Sequence, residues 1–438
     1  MKNKLILLVF VVIIIVSCNI KEKEKTTIVT DDITNFWKAY DAIQITQDTV
    51  LQKAYLSTLF FNKATDGLKA IMKTKNYKEQ DYYTAIKKYP KFWESVRENT
   101  LRANEFGKEL DEGVEKLKEI YPKLTPAKIY FTMSPLRSNG TTLNDLVLIG
   151  SELAMTDENT ISEELPEIIR KNRRFFFDSN PIENLVQLNV HEYVHTQQKM
   201  AEDYLLSYVI REGVAEFISV IALGKPSTVP AIAYGEKNKR VREKFEEDMF
   251  KGNNINQWLW SDAPNEFGVR DLGYYIGYAM CKKYYEQSEN KSEAIQELIE
   301  LDYSNTTAIE NFVNVSGYFS DTLENLYQKF ENSRPFVTNI QPFKNKNEEV
   351  DYKVNKLTIE FSEPMNQQYR NFDFGPLGKE AAIQIQKVIG FSEDGTSITV
   401  EIAPLQPNKR YQLVIGTRFK SLKNMPLKSY LIDFKTNK

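Results

Sequence analysis

The sequence predicts an α+β protein in which a helix-rich region precedes an all-β module. Between residues 31 and 124, apolar side chains recur at spacings of three and four, the period of an amphipathic helix. After Pro335 the pattern changes to short alternating runs bounded by proline, glycine and asparagine, which is typical of a β-sandwich of about 100 residues. We therefore predict one domain over residues 31–334 and a second over residues 335–438.

A small sheet is expected to interrupt the helices. Pro90, Pro122 and Pro126 punctuate the first helical stretch, 31–124. Residues 128–133 and 146–149 are β-type runs, and the segment 137–142 between them is rich in turn-forming residues. Helical periodicity returns from about residue 182 to 223 and again from about 272 to 300. The order helices, sheet, helices is the basis for the α+β assignment.

The composition is that of a folded protein with few residues suited to catalysis. The chain has 438 residues, 42% of them hydrophobic, and a formal net charge of −3, so it lacks the positive field that nucleic-acid binding requires. It contains two histidines, His191 and His195, and two cysteines, Cys18 and Cys281. These counts exclude a disulfide scaffold and a zinc-finger array. We expect Cys281 to be a buried thiol in a helix.

Residues 1–17 are predicted to be a lipoprotein signal peptide. Lys2 and Lys4 precede an apolar run over residues 5–16, which is short for a membrane-spanning helix of about 20 residues but typical of a signal peptide. The run ends before Cys18 in a pattern that resembles a bacterial lipobox, whose cysteine receives the lipid. Residues 18–30 then form a charged tether. We expect a lipid-anchored protein of the bacterial cell envelope, in the outer membrane; the alternative is a short transmembrane anchor with an incidental cysteine.

The pattern H-E-x-x-H at residues 191–195 is the strongest functional signal in the chain. Two histidines four residues apart lie about 40° apart around a helix axis, so His191 and His195 can bind one metal ion. Glu192 lies about 100° from His191 and about 60° from His195, close enough to reach a water on the metal without binding it. We interpret Glu192 as the general base. The alternative is a pair of surface histidines on an amphipathic helix.

Two histidines leave a hydrolytic zinc site one protein ligand short. The chain has no third histidine, so a carboxylate must complete the site. The candidates are Glu212 and Glu216, one turn apart on the next predicted helix. Either one could be the ligand, or both could be surface acids.

The segment Glu212-Gly213-Val214-Ala215 resembles the third-ligand segment of gluzincin metallopeptidases. The resemblance, closest to bacterial predicted zinc-dependent proteases, covers most of residues 30–330. It implies a zincin-like domain with one Zn²⁺ held by His191, His195 and Glu212, and it places Glu216 where a carboxylate hydrogen-bonds a ligand histidine. It also implies that residues 146–152 form the edge strand that binds a peptide substrate, through Leu148, Ile149 and Gly150; the alternative is an ordinary core strand.

One helical face carries Tyr274 and Tyr278. A phenol near zinc can donate a hydrogen bond to the oxyanion of a tetrahedral intermediate, so Tyr274 is a candidate catalytic residue; the alternative is a pair of core tyrosines. The Gly-x-Met-x-Asn segment by which characterised aminopeptidases bind the substrate amine is missing from this sequence.

In the C-terminal module, residues 361–365, 405–411 and 434–436 resemble three segments of bacterial Ig-like domains. The resemblance implies an Ig-like sandwich used for spacing or attachment, and contacts with cell-surface components. The predicted function is therefore an envelope zinc peptidase acting on a peptide or protein. The alternative is a non-catalytic zincin-fold lipoprotein for envelope or gliding-machinery assembly, although binding alone has no need of Glu192.

Overall fold

The computed structural model describes residues 26–202, 204–252, 254–262 and 265–438. The first strand, β1 (Ile28–Val29), leads into a cluster of helices with an aromatic interior. These helices are α1 (Asp31–Gln44), α2 (Thr49–Leu59), α3 (Asp66–Thr74), α4 (Glu79–Lys88), α5 (Pro90–Leu101) and α6 (Gly107–Ile120). Local signals set several of their boundaries: the Asp48 side chain caps α2, and Pro90 begins α5.

The sheet that follows has the strand order β1-β2-β4-β3, with β2 (Lys128–Thr132), β3 (Gly140–Leu143) and β4 (Leu146–Gly150). Strands β1, β2 and β4 run parallel, and β3 returns antiparallel along β4, with Gly140 opposite Ile149. Strand β3 occupies part of the segment that the sequence predicted as a turn. It is half-buried throughout and forms one edge of the sheet.

The remaining helices pack beneath and around this sheet. Helix α10, the longest, contacts α6, α9 and α14, so it lies at the centre of the helical core. The helices are α7 (Ser151–Ala154), α8 (Glu167–Phe177), α9 (Leu185–His195), α10 (Leu205–Leu223), α11 (Pro230–Lys237), α12 (Arg240–Asp248), α13 (Ile255–Trp258), α14 (Leu272–Gln287), α15 (Lys291–Glu300), α16 (Thr306–Ser316) and α17 (Leu323–Ser333). Cys281 is a buried free thiol in α14, as expected.

The C-terminal region consists of two antiparallel sheets around a common core. One sheet has the order β5-β6-β9-β8 and the other β11-β10-β7. In β6 the apolar residues Leu357, Ile359 and Phe361 are buried and alternate with partly exposed polar ones, the period of a half-buried strand. The strands are β5 (Val337–Gln341), β6 (Lys356–Phe361), β7 (Phe372–Asp373), β8 (Ile385–Phe391), β9 (Ser397–Ile402), β10 (Arg410–Ile415) and β11 (Tyr430–Lys435).

The predicted α+β class is confirmed, because a helix-rich region precedes these antiparallel sheets. Each region has its own hydrophobic core: one core extends as far as Leu326 and the other begins at Val337. Arg334 joins the two regions by donating hydrogen bonds to the carbonyl oxygens of Pro426, at 3.1 Å, and Leu427. The domain boundary at residue 335 stays a prediction.

The predicted signal peptide, residues 1–17, and Cys18 lie outside the described residues. Within the ranges that are described, none of the helices has both the length and the apolar character needed to cross a membrane.

Candidate metal centre and active site

Helix α9 carries the H-E-x-x-H motif into the interior. His191, Glu192 and His195 are only 5–7% exposed. The two imidazole rings lie on one side of the helix, with centroids 4.8 Å apart and planes nearly perpendicular. The motif therefore does not lie on a solvated helix face, which removes the surface-histidine alternative.

Helix α10 brings Glu212 between the two imidazoles. Its Oε2 lies 3.2 Å from His195 Nε2 and 3.5 Å from His191 Nε2. Ligand atoms about 2.0–2.2 Å from a tetrahedral zinc ion stand roughly 3.3–3.6 Å from one another. One nitrogen from each histidine and one carboxylate oxygen, all within 4.8 Å of one another, therefore form a donor set that fits zinc in both chemistry and spacing.

Close packing of α10 against α14 fixes the position of Glu212. The next residue, Gly213, faces Gly277, where a Cβ atom would lie 1.9 Å from the carbonyl oxygen of Val209. A side chain at either glycine would force the two helices apart. The glycine after Glu212 is thus required by helix packing, which brings the start of α14 beside the metal centre.

Both histidines are held through Nδ1, leaving Nε2 directed at Glu212. Glu216 Oε2 lies 3.0 Å from His191 Nδ1, and the other carboxylate oxygen of Glu216 accepts hydrogen bonds from Gln187 and Ser227. This places Glu216 behind His191, in the orienting role that the resemblance implied, and its position does not suit it to be the third ligand.

Gln198 orients the His195 ring through Nδ1, as Glu216 orients the His191 ring. Sequence reasoning missed this role of Gln198. Its Oε1 lies 2.6 Å from His195 Nδ1. Its amide nitrogen donates to the Tyr303 hydroxyl, at 2.9 Å, and to the Arg211 carbonyl, at 3.2 Å, which fixes the amide orientation. The only local signal was its position, three residues after the second histidine.

These contacts set the proton affinities of the site. Burial opposes charge on His191, but hydrogen bonds with Glu212 and Glu216 outweigh it and raise the His191 pKa to about 10. Burial, reinforced by Arg211, lowers the His195 pKa to about 4. Burial raises the Glu192 pKa to about 7, a value suited to a group that exchanges protons near neutrality.

The Glu192 carboxylate lies directly against strand β3. A Cβ atom built on Gly140 would come within 2.5 Å of Glu192 Oε1, so only glycine leaves room for the carboxylate in this position. Sequence reasoning also missed Gly140, which stands in the segment predicted as a turn.

The prediction that Leu148, Ile149 and Gly150 form the substrate-binding edge strand is wrong. They belong to β4, which pairs with β2 on one side and β3 on the other, and all three are buried. The apolar run that suggested a strand here is apolar because it is internal. The edge beside Glu192 is β3, which is polar and carries Gly140, Thr141 and Thr142 into the cavity wall.

Tyr274 lies beside the metal centre in the first turn of α14. Its ring is stacked at 6.0 Å on the His191 imidazole, and its hydroxyl accepts a hydrogen bond from Trp260 Nε1 at 3.2 Å. Burial holds the Tyr274 pKa well above its usual range, so the phenol keeps its proton. Tyr278, one turn further along, packs against Phe217 in the core.

Glu192 and the three candidate metal ligands line one cavity of about 660 Å³. The metal-site residues and Tyr274 contribute to its wall, as do strand β3 and the helix α8. A cavity of this size can take several residues of a peptide or a small molecule.

Residues 174–306 match the family model described as "Predicted Zn-dependent protease (DUF2268)". This segment holds both histidines, Glu192, Glu212 and Tyr274, so the similarity supports a zinc-dependent protease. No curated protein matches the chain.

Among solved structures, CopC from Methylosinus trichosporium OB3b is 11% identical, with a TM-score of 0.19, over 24% of this chain and 94% of that one. The N-terminal part of the bacterial S-layer protein SbsC is 12% identical, with a TM-score of 0.18, over 93% of this chain and 70% of that one. At these TM-scores neither match informs the fold.

Proposed function

We propose that the protein is a gluzincin-type zinc metallopeptidase with a zincin-like catalytic domain. The observation that carries the proposal is the convergence of His191 Nε2, His195 Nε2 and Glu212 Oε2 beside a buried Glu192 in one cavity. A buried carboxylate next to this donor set, and not bound into it, has a clear use in hydrolysis and none in simple binding.

The chemistry that one zinc ion supplies at such a site is polarisation of the scissile carbonyl and a lower pKa, about 7, for the attacking water. Glu192 accepts a proton from that water and passes it to the leaving amine. Glu216 and Gln198 hold the two imidazoles in the orientation that keeps both Nε2 atoms directed inward.

Tyr274 is proposed to donate its hydroxyl proton in a hydrogen bond to the oxyanion. Its ring lies against His191 and its hydroxyl accepts a hydrogen bond from Trp260, while its O–H interacts with Glu212 and so is directed towards the metal centre. The exposed edge of β3 is proposed to align the peptide by backbone hydrogen bonds, beside Glu192.

The test pairs metal analysis of the purified full-length protein with cleavage of a broad peptide library. We expect near-stoichiometric zinc and hydrolysis that falls by a factor of about 10² to 10⁴ in Glu192→Gln, with zinc retained. Full activity in Glu192→Gln, or failure of the unmodified protein to bind zinc, would overturn the proposal. Stoichiometric zinc with no cleavage of any peptide would favour the non-catalytic alternative.

We also propose that lipidated Cys18 anchors the protein to the envelope, in the outer membrane, and that the C-terminal sheets form an Ig-like module contacting cell-surface components. The sequence around Cys18 supports the first part, and the pair of antiparallel sheets supports the second. Cell fractionation of Cys18→Ser tests the anchor: the variant should leave the membrane fraction after a salt wash, and retention there would contradict it.

A further inference from the structure

The cavity wall carries more cations than the proposed hydrolysis uses. Three of its four arginines, including Arg137 beside Asp81, are already bound within the protein. Arg270 Nη1 lies 3.0 Å from Asp262 and its Nε lies 2.6 Å from Asp271. Arg211 donates to the carbonyl oxygens of His195 and Lys199. The cations lining the cavity are Lys75, Arg137, Lys171, Arg173, Arg211 and Arg270.

Arg173 is the exception among the arginines. It is partly buried on α8, and it makes no hydrogen bond or ion pair with the residues that the structure describes. The neighbouring Arg174 shows what a bound arginine on this helix looks like, since it donates to Asp178, at 2.8 Å, and to the carbonyl oxygens of Thr160 and Glu158. Arg174 therefore has a structural role that Arg173 lacks.

The surroundings of Arg173 make an unpaired guanidinium energetically unfavourable at this position. Burial and the positive charge of Arg270 both lower its pKa. Asp262, Glu152 and Asp271 attract it. Asp262 and Asp271 are already paired with Arg270, and Glu152 accepts hydrogen bonds from Ser134. Asn172 donates to Asp262 at 3.2 Å and so fixes this turn of α8 against the segment that carries Arg270. A partly desolvated guanidinium held beside a like charge is unfavourable unless something anionic enters the cavity.

Arg173 lines the same cavity as the reacting groups. Asp271, paired with Arg270, accepts a hydrogen bond from the Trp260 backbone at 2.6 Å, and the Trp260 side chain donates to Tyr274. Arg270, whose charge acts on Arg173, is thus linked to Tyr274, and Arg173 and Tyr274 both line the cavity that contains Glu192.

We propose that Arg173 is a specificity-determining residue that binds a carboxylate of the substrate. The inference rests on the proposed peptidase function and names the substrate class: peptides with an anionic group near the scissile bond. A guanidinium can form two parallel hydrogen bonds to a carboxylate, and none of the described carboxylates that attract Arg173 forms a hydrogen bond or ion pair with it. The carboxylate is either an Asp or Glu side chain or the peptide's C-terminus.

Binding, measured apart from cleavage, tests this. The full-length Glu192→Gln protein is titrated with N-dansyl hexapeptides of alanine that carry Glu or Gln at one scanned position and end in a free acid or an amide. We expect at least one peptide that carries the carboxylate to bind about tenfold or more tightly than the matched peptide that carries the amide. A Glu-over-Gln preference identifies a side-chain carboxylate, and an acid-over-amide preference identifies the C-terminus.

Substitutions then assign the preference to Arg173. Arg173→Gln should reduce it to within about twofold, and Arg173→Lys should restore part of it. Lys171→Gln is the matched control, since it removes one cation from the same helix and cavity rim but from an exposed position, and it should keep the preference. The melting temperature of Arg173→Gln should be unchanged or higher, because the protein loses no internal contact.

The proposal fails if no peptide pair shows a preference, if no peptide binds at millimolar concentration, or if Arg173→Gln keeps the preference. It also fails if Lys171→Gln loses the preference equally, because a diffuse positive field would then explain it. A carboxylate preference that depends on Arg173, in a protein that cleaves nothing, would overturn the proposed hydrolysis and leave this binding site in place.

Discussion

Helices α9 and α10 line the same cavity as strand β3 and helix α8, but their polar groups are used differently. In the helix pair, each imidazole nitrogen has a carboxylate or amide oxygen within 3.5 Å. Along β3 and α8, one sheet edge and the Arg173 guanidinium stay open. Under the proposed function, the first region would hold an ion in one geometry, and the second would receive a molecule that supplies the missing partners.

The largest effect is expected on zinc affinity, when a proposed metal ligand in the helix pair is replaced. Glu212→Gln replaces an anionic ligand by a neutral amide, so zinc affinity should fall by more than about 100-fold, the upper range for losing an outer hydrogen-bond partner. Zinc competition with a chromophoric chelator measures this. If Glu216→Gln lost zinc and Glu212→Gln kept it, the ligand assignment would be reversed while the mechanism stood.

The next effect concerns the contact between the two regions, where β3 meets Glu192. Gly140→Val places a side chain in the space of the Glu192 carboxylate, which must move. We expect kcat to fall by up to about 100-fold with zinc content unchanged. The control is Thr142→Val, at another cavity-lining position of the same strand, which adds no comparable obstruction at Gly140. Loss of zinc in Gly140→Val would show that the strand supports the metal centre as well.

A smaller effect is expected from the support of a single imidazole. Gln198→Leu removes the hydrogen bond to His195 Nδ1 at similar volume, so zinc affinity should fall by about 10- to 100-fold. Glu216→Gln, which alters the equivalent support of His191, is the matched comparison. Unchanged affinity in Gln198→Leu would mean that packing alone orients His195.

The two regions also differ in how much the sequence predicts. His191, Glu192, His195 and Glu212 lie on two helices, where residue spacing reports which side chains share a face. The roles of Gly140 and Arg173, and the contact of Gln198 with Tyr303, depend on which elements meet in the folded chain, and that is set by tertiary packing. The edge-strand error has the same origin: an apolar run identifies a strand, but its place in the sheet depends on partners remote in sequence.

The last prediction compares two buried carboxylates with different partners. Glu212 is balanced by two imidazoles. Glu152, in α7, accepts hydrogen bonds among the described residues from neutral donors alone: Ser134 N at 2.8 Å, Ser134 Oγ at 2.5 Å and Leu136 N at 3.2 Å. Burial outweighs these bonds and raises the Glu152 pKa from 4.5 to about 7. The folded state therefore binds this proton more tightly than the unfolded state, so the Glu152 contribution to stability falls as pH rises from about 4.5 to 7.

Glu152→Gln removes that titration while keeping the side-chain shape of the protonated acid. The free energy of unfolding of the variant minus that of the unmodified protein should increase as pH rises from 5 to 8, by about 3 kcal/mol at most. Hydrolysis should be unchanged. Urea unfolding of both proteins at four pH values, with zinc held constant, measures the difference. A difference that stays constant with pH, or that shrinks as pH rises, would mean that the neutral donors around Glu152 stabilise its charge as well as the imidazoles stabilise that of Glu212.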